Sequence, residues 1–202
     1  MPYLLSALLG YGLGCINPAY ILAKLRGFDI REKGSRNAGA SNVVITLGKA
    51  KGIFCAAFDI GKAALAVLLA RLLFNPVETF AVTAAACILG HIFPFYLKFR
   101  GGKGFASYLG MTLALNWKFA IVILVLVGVA MVVTDYIVAG TTLTILSTPV
   151  YMGIITHNLI LALILCIATA VIIYKHRDNY VRIWNGTEIG LRSAAKGEHR
   201  VK

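Results

Sequence analysis

Charge is scarce in this chain. Asp, Glu, Lys and Arg make up 14% of its 202 residues, against roughly 25% in an average soluble domain, while 59% are apolar. That balance argues against an ordinary water-soluble domain and favours lipid as the solvent. No Lys or Arg precedes Lys24, so the basic start of a secretory signal peptide is missing and the first apolar segment is expected to be a retained helix. Cys15, Cys55, Cys87 and Cys166 all sit in apolar stretches without C-x-x-C spacing. Neither a disulfide framework nor a zinc site is indicated, no metal is expected, and the cysteines read as small packing residues.

Apolar segments fall at about 3–23, 52–73, 78–97, 104–115, 118–133, 136–155 and 158–174, each a candidate for a span of about 20 residues. The expectation is an all-α polytopic membrane protein with about seven transmembrane helices. It forms a single domain over 1–202 with a short basic tail at about 189–202. The net charge of +12 would suggest nucleic acid in a soluble protein; here it is a topology signal, and no nucleic-acid partner is expected. With the N-terminus outside, seventeen Lys/Arg lie in the loop 24–51, the turn 98–103 and the tail from Lys175, while only Arg71 and Lys118 face outward. The positive-inside rule therefore places these segments and the C-terminus in the cytoplasm. The same rule favours breaking 104–133 at Asn116-Trp117-Lys118, which leaves 104–115 shorter than the bilayer core.

Glycines 10, 12 and 14 read as close helix packing. Asp59 and Lys62, three residues apart, share a helical face. Each alone costs about 3 kcal/mol at mid-membrane, so a paired, interior-facing couple with a supporting role is the cheaper arrangement.

Three polar segments carry the candidate chemistry. The first runs from Gly34 to Asn42 (G-S-R-N-A-G-A-S-N). Its glycines Gly34 and Gly39 allow backbone N–H groups to approach an oxyanion, and Ser35, Asn37, Ser41 and Asn42 offer further hydrogen bonds. An ordinary flexible loop has the same composition. The second segment ends in Gly101-Gly102-Lys103-Gly104. It departs from a nucleotide P-loop, with Leu97 in place of the first glycine and Gly104 in place of Ser/Thr, so ATP binding is not expected. A glycine turn feeding a helix start still presents N–H donors, a positive dipole end and Lys103 to an anion. Aromatic Phe93, Phe95, Tyr96 and Phe99 beside it suit an interfacial belt or an entry for an acyl chain. The third segment follows the last span. If helical, it sets His176, Asn179 and Arg182 on about one face, with Glu188 beyond them.

Taken together, G-S-x-N-x-G-x-[ST]-N, G-H…F-P…K-F-[KR]-G-G-K-G and H-R-x-N…R…G-x-E occur here in order. The chain thereby resembles the bacterial acyl-phosphate:glycerol-3-phosphate acyltransferases, the PlsY family, over nearly its whole length. Asp59 and Lys62 also resemble the family pattern. Two positions depart from it: Ile45 stands where an Arg is usual, and Cys15 where a Ser is usual. The resemblance implies acyl transfer from acyl phosphate to the 1-hydroxyl of glycerol 3-phosphate at the cytoplasmic face of the bacterial inner membrane. The products are lysophosphatidic acid and phosphate, the first step of phospholipid synthesis. It implies no cofactor, and a soluble partner enzyme that makes the acyl phosphate.

For such a reaction Lys103, Ser35 and Asn37, with Gly34, Gly39, Ser41, Asn42, Gly101, Gly102 and Gly104 around them, are the candidates for phosphate and oxyanion binding. Asn179 and Arg182 would clamp the acceptor, with Glu188 orienting Arg182. The general base is either His176 or a phosphate oxygen of the substrate. His91 has Tyr96 five residues on instead of the Asp of the H-x-x-x-x-D acyltransferases, and a structural role is expected for it. Two rival readings share these features: a small-anion transporter, and an inactive paralogue that binds lipid or a partner.

Overall fold

The computed structural model describes residues 1–192; most of the expected tail at 189–202 lies outside the described residues. These form nine α-helices, most joined by short turns and two pairs by the longer segments 25–39 and 93–104. Six stretches are long and apolar enough to cross a membrane: Pro2–Lys24, Lys49–Leu73, Glu78–Leu97, Trp117–Thr134, Ile137–Thr156 and Leu159–Trp184. Phe105–Leu115 is apolar but shorter, spanning about 16 Å at 1.5 Å per residue. This is an all-helical, multi-pass membrane protein. Two compact units divide it, one of residues Met1–Leu115 and one starting at Asn116.

The first unit holds α1 (Pro2–Cys15), α2 (Pro18–Lys24), α3 (Ala40–Leu47), α4 (Lys49–Leu73), α5 (Glu78–Ile92) and α6 (Phe105–Leu115). Gly10 and Gly14 of α1 sit so close to the main chain of Thr83 and Cys87 on α5 that a Cβ at either would overlap it. The contacts advance in step along both helices, so α1 and α5 run parallel, joined by small residues as expected where lipid supplies no hydrophobic drive. Gly12 points into open space and takes no part in this contact.

The expected first helix at 3–23 is in fact two. Asn17 is extended, as the residue before a proline tends to be, its side chain caps α2 by accepting from the Tyr20 N–H, and Pro18 opens that helix. The interruption frees carbonyls that lipid cannot hydrate, and each finds a donor. Leu13 accepts from the Ile16 N–H, Cys15 from the Tyr96 hydroxyl at 2.7 Å, and Gly14 and Ile16 from Lys62 Nζ at 3.1 and 2.6 Å. A cation at the C-terminal end of α1 also suits the helix dipole.

The second unit holds α7 (Trp117–Thr134), α8 (Ile137–Thr156) and α9 (Leu159–Trp184). Asn116 and Asn158 cap α7 and α9 through their side chains, and Asp135 and His157 close α7 and α8 in the left-handed conformation. Pro149 within α8 cannot donate to the carbonyl four residues back. That carbonyl, on Ile145, accepts instead from the Thr169 hydroxyl of α9 at 2.7 Å. Thr142 and Tyr180 add a second link between the same helices at 2.8 Å.

Candidate active site

In the first unit, the loop 34–42 is organised by Asn42, which is fully buried. Its Nδ2, with two hydrogens to share, lies 2.9–3.0 Å from the carbonyls of Ile30, Lys33 and Asn37, and its Oδ1 accepts from the Ser35 N–H at 2.8 Å. Both polar atoms of Asn42 are thus engaged in shaping the loop. Gly34 has φ +57, and a Cβ there would strike Asn42 Oδ1. Around this anchor Ser35 and Ser41 are exposed, Asn37 is half-buried, and buried Gly39 precedes α3.

The turn 93–104 reverses through two left-handed residues, Lys98 and Phe99. It is drawn back onto α5 by N–H bonds from Gly101 to the Ile92 carbonyl, 2.9 Å, and from Gly102 to the His91 carbonyl, 3.1 Å. A side chain at 101 would overlap the His91 carbonyl, and one at 102 the His91 ring. Gly104 has φ +92, a conformation that L side chains rarely adopt, and leads into α6. Half-buried Lys103 lies between these glycines.

The loop and the turn stand against each other. Asn17 Nδ2 donates to the Ala38 carbonyl at 3.0 Å, and a Cβ on Gly102 would come within 3.1 Å of that same oxygen. Farther along, Arg31 donates to the Leu97 carbonyl at 2.6 Å while pairing with Asp29 at 2.6 Å. The Arg31 guanidinium hydrogen-bonded to Asp29 holds that carboxyl below its usual range, and Asp29 holds Arg31 above its own. Two segments some sixty residues apart in sequence therefore meet, at Ala38 against Gly102 and through the bond from Arg31 to Leu97.

In the second unit, α9 continues through the third segment, so His176, Asn179 and Arg182 do fall on one face. His176 and Asn179 are buried. The contact of His176 Nδ1 with the Ile172 carbonyl at 2.9 Å fixes a tautomer, because a carbonyl only accepts. Nδ1 carries the hydrogen, and in the neutral ring Nε2 holds the lone pair. Glu188 accepts from Asn179 Nδ2 at 2.5 Å and from Arg182 Nε at 2.6 Å, so the carboxylate bridges the amide and the guanidinium.

Residues 4–186 match the family described as glycerol-3-phosphate acyltransferase. This chain belongs to that family. Glycerol-3-phosphate acyltransferase 1 of Oceanobacillus iheyensis is 36% identical, the match covering 96% of this chain and 97% of the relative. The Clostridioides difficile glycerol-3-phosphate acyltransferase is 39% identical over 92% and 94%. Among solved structures, the integral membrane glycerol 3-phosphate acyltransferase PlsY in its glycerol 3-phosphate form superposes with a TM-score of 0.88 at 28% identity. That match covers 96% of this chain and 97% of the other. Its lysophosphatidic acid form gives 0.84 at 28% identity.

Seen as a member of the glycerol-3-phosphate acyltransferase family, the chain has further features that bear on the site. Ile45 is exposed on α3, and Cys15 is buried at the break after α1. A groove of about 540 Å³, lined by Tyr20, Ile21, Leu25, Phe95 and Tyr96 with Lys24 among them, falls in the size range of small-molecule sites, roughly 300–1,000 Å³. Sequence reasoning paired Asp59 with Lys62 but missed Asn17 and the part of His91 in that pair. Asn17-Pro18 was readable as a helix start, an N-cap followed by proline at the first helical position.

Proposed function

We propose that this chain transfers a fatty acyl group from acyl phosphate to the 1-hydroxyl of glycerol 3-phosphate, yielding lysophosphatidic acid and phosphate for phospholipid synthesis. The observation behind this reading is the glycine turn at 101–104, whose positions 101 and 102 are packed too tightly for side chains and which stands beside the loop 34–42 with Lys103 in its midst. With the Gly101 and Gly102 N–H groups turned back onto α5, the start of α6 and the lysine beside it supply the donors and positive charge that a phosphate requires.

The donor is a mixed anhydride and already activated, so alignment and charge stabilisation suffice and no acyl-enzyme is needed. The acceptor oxygen bonds to the acyl carbon. Its proton passes to His176 Nε2 or to a phosphate oxygen of the substrate. The bond from the acyl carbon to the phosphate oxygen then breaks, and phosphate leaves with the electron pair. Lys103, Ser35, Asn37 and the loop N–H groups, with Gly34, Gly39, Ser41, Asn42, Gly101, Gly102 and Gly104 forming the surround, bind phosphate and the developing oxyanion. Asn179 and Arg182, bridged by Glu188, hold the acceptor. The groove beside Phe95 and Tyr96 receives the acyl chain.

The site faces the cytoplasm of the bacterial inner membrane in this reading, with the N-terminus outside. Supporting it, the two basic segments 24–51 and 98–103 occupy one end of the first unit, joined by the bond from Arg31 to Leu97, as two intervening crossings by α4 and α5 require. A soluble enzyme would supply the acyl phosphate. The test is acyl transfer by purified protein to glycerol 3-phosphate, followed by mass spectrometry, with acyl phosphate, acyl-CoA and acyl carrier protein as alternative donors. Product from acyl phosphate alone is expected; product from only the thioesters, or from none, contradicts the reading.

A further inference from the structure

Three buried polar side chains of the first unit have no part in the reaction as drawn. Asp59, Lys62 and His91 are 2%, 5% and 3% exposed. Lys62 Nζ lies 2.7 Å from Asp59 Oδ1, His91 Nδ1 lies 3.2 Å from the same oxygen, and Nζ and Nδ1 are 3.1 Å apart. On one side the trio holds the broken first span, through the two bonds from Lys62 to Gly14 and Ile16. On the other it meets the glycine turn twice. The His91 carbonyl accepts from the Gly102 N–H, and the far edge of the ring, Nε2, fills the space a Gly102 side chain would need.

A pair placed only to glue helices together need not include the one ring against which the turn is folded. Buried ion pairs contribute little net stability, and apolar residues of similar volume commonly replace them without loss. The trio instead couples a rigid helical frame to the segment carrying Lys103. We infer that Asp59, Lys62 and His91 are positioning residues: through the His91 ring and Gly102 they set where the turn 101–104, and with it Lys103, presents itself to the phosphate of the donor. The inference rests on the acyltransferase reading of the turn and deepens it.

Its test compares the purified parent protein with His91→Asn and with the double variant Asp59→Asn, Lys62→Met, which removes both buried charges together. Steady-state kcat and KM for acyl phosphate are measured beside the thermal midpoint in the same detergent. His91→Asn is expected to keep a cooperative midpoint near the parent's, and the double variant, which strips the Gly14 and Ile16 carbonyls of their donor, to melt lower but cooperatively. In both, kcat/KM for acyl phosphate per folded molecule falls on the order of 10-fold to 100-fold, the effect of a displacement near 1 Å. Unchanged kcat/KM per folded molecule overturns the inference, as does a loss that only tracks the folded fraction. Failure of both variants to accumulate as folded protein also overturns it, by making the trio a folding element. A parent that transfers no acyl group defeats the acyltransferase reading and this inference with it; an active parent with unaltered variants defeats the inference alone.

Discussion

Asn17 reaches across the first unit to the carbonyl of Ala38, 3.0 Å away, while its own Oδ1 caps α2. One side chain thus both restarts a helix inside the membrane and fixes the loop that bears Ser35 and Asn37. Asn17→Ser separates the two tasks, because serine caps helices about as well as asparagine but is too short to hold Ala38. The thermal midpoint should move by no more than about 1 kcal/mol of stability permits, while kcat for acyl transfer drops several-fold. Equal rates in the two proteins would show that Ala38 needs no such anchor.

Position 45 offers a gain-of-function test. Exposed Ile45 is aliphatic and cannot make a charge-assisted contact with a phosphate, as an arginine there would. Supplying it by Ile45→Arg should lower KM for glycerol 3-phosphate about 10-fold, the worth of one charge-assisted hydrogen bond of about 1.5 kcal/mol. An unchanged KM in initial-rate measurements would mean that acceptor binding here does not use that position.

Glu188 bridges Asn179 and Arg182, and its replacement by Gln keeps shape and removes charge. Glu188→Gln should raise KM for glycerol 3-phosphate by roughly 10-fold with a smaller change in kcat, since the bridge orders groups that hold the acceptor. A variant whose kcat falls while KM stays put would place Glu188 in the chemical step instead.

Acid should expose the Asp29–Arg31 pair. The folded carboxyl titrates below its ordinary value of 3.8, so the pair's stabilisation is complete above that value and disappears as pH falls through the depressed one, where Asp29 protonates in the folded state too. Asp29→Asn should therefore melt below the parent at pH 7, by up to about 1 kcal/mol for a partly exposed pair. The difference should shrink as pH falls below 3.8 and vanish once Asp29 is protonated in the folded protein. A gap constant from neutral pH to that limit would locate the effect elsewhere.

The sequence made some of this legible and hid the rest for physical reasons. The break at Asn116 was legible from the distribution of charge, because the positive-inside rule calls for two spans there, and the shared face of His176, Asn179 and Arg182 from helical spacing, which is local. The division of the first span at Asn17 was masked by apolar residues on both sides, although Asn17-Pro18 carried the signal. His91 joins Asp59 and Lys62 from twenty-nine residues beyond Lys62, through the packing of α5 on α4, and no periodicity reports that. The contacts of Asn42, with residues five to twelve positions upstream, come from the irregular path of the loop, which no periodicity reports either: its motif position suggests a ligand contact, while its burial commits it to holding the loop.

The claim on which the rest turns is that Lys103, in the glycine turn, holds the phosphate of an activated acyl donor. Rates of lysophosphatidic acid formation from acyl phosphate and glycerol 3-phosphate by purified parent and Lys103→Ala protein, matched for folded content, test it most directly. The account predicts a loss of about 100-fold or more, as for a group that stabilises transition-state charge. Product formed by Lys103→Ala at the parental rate would contradict it.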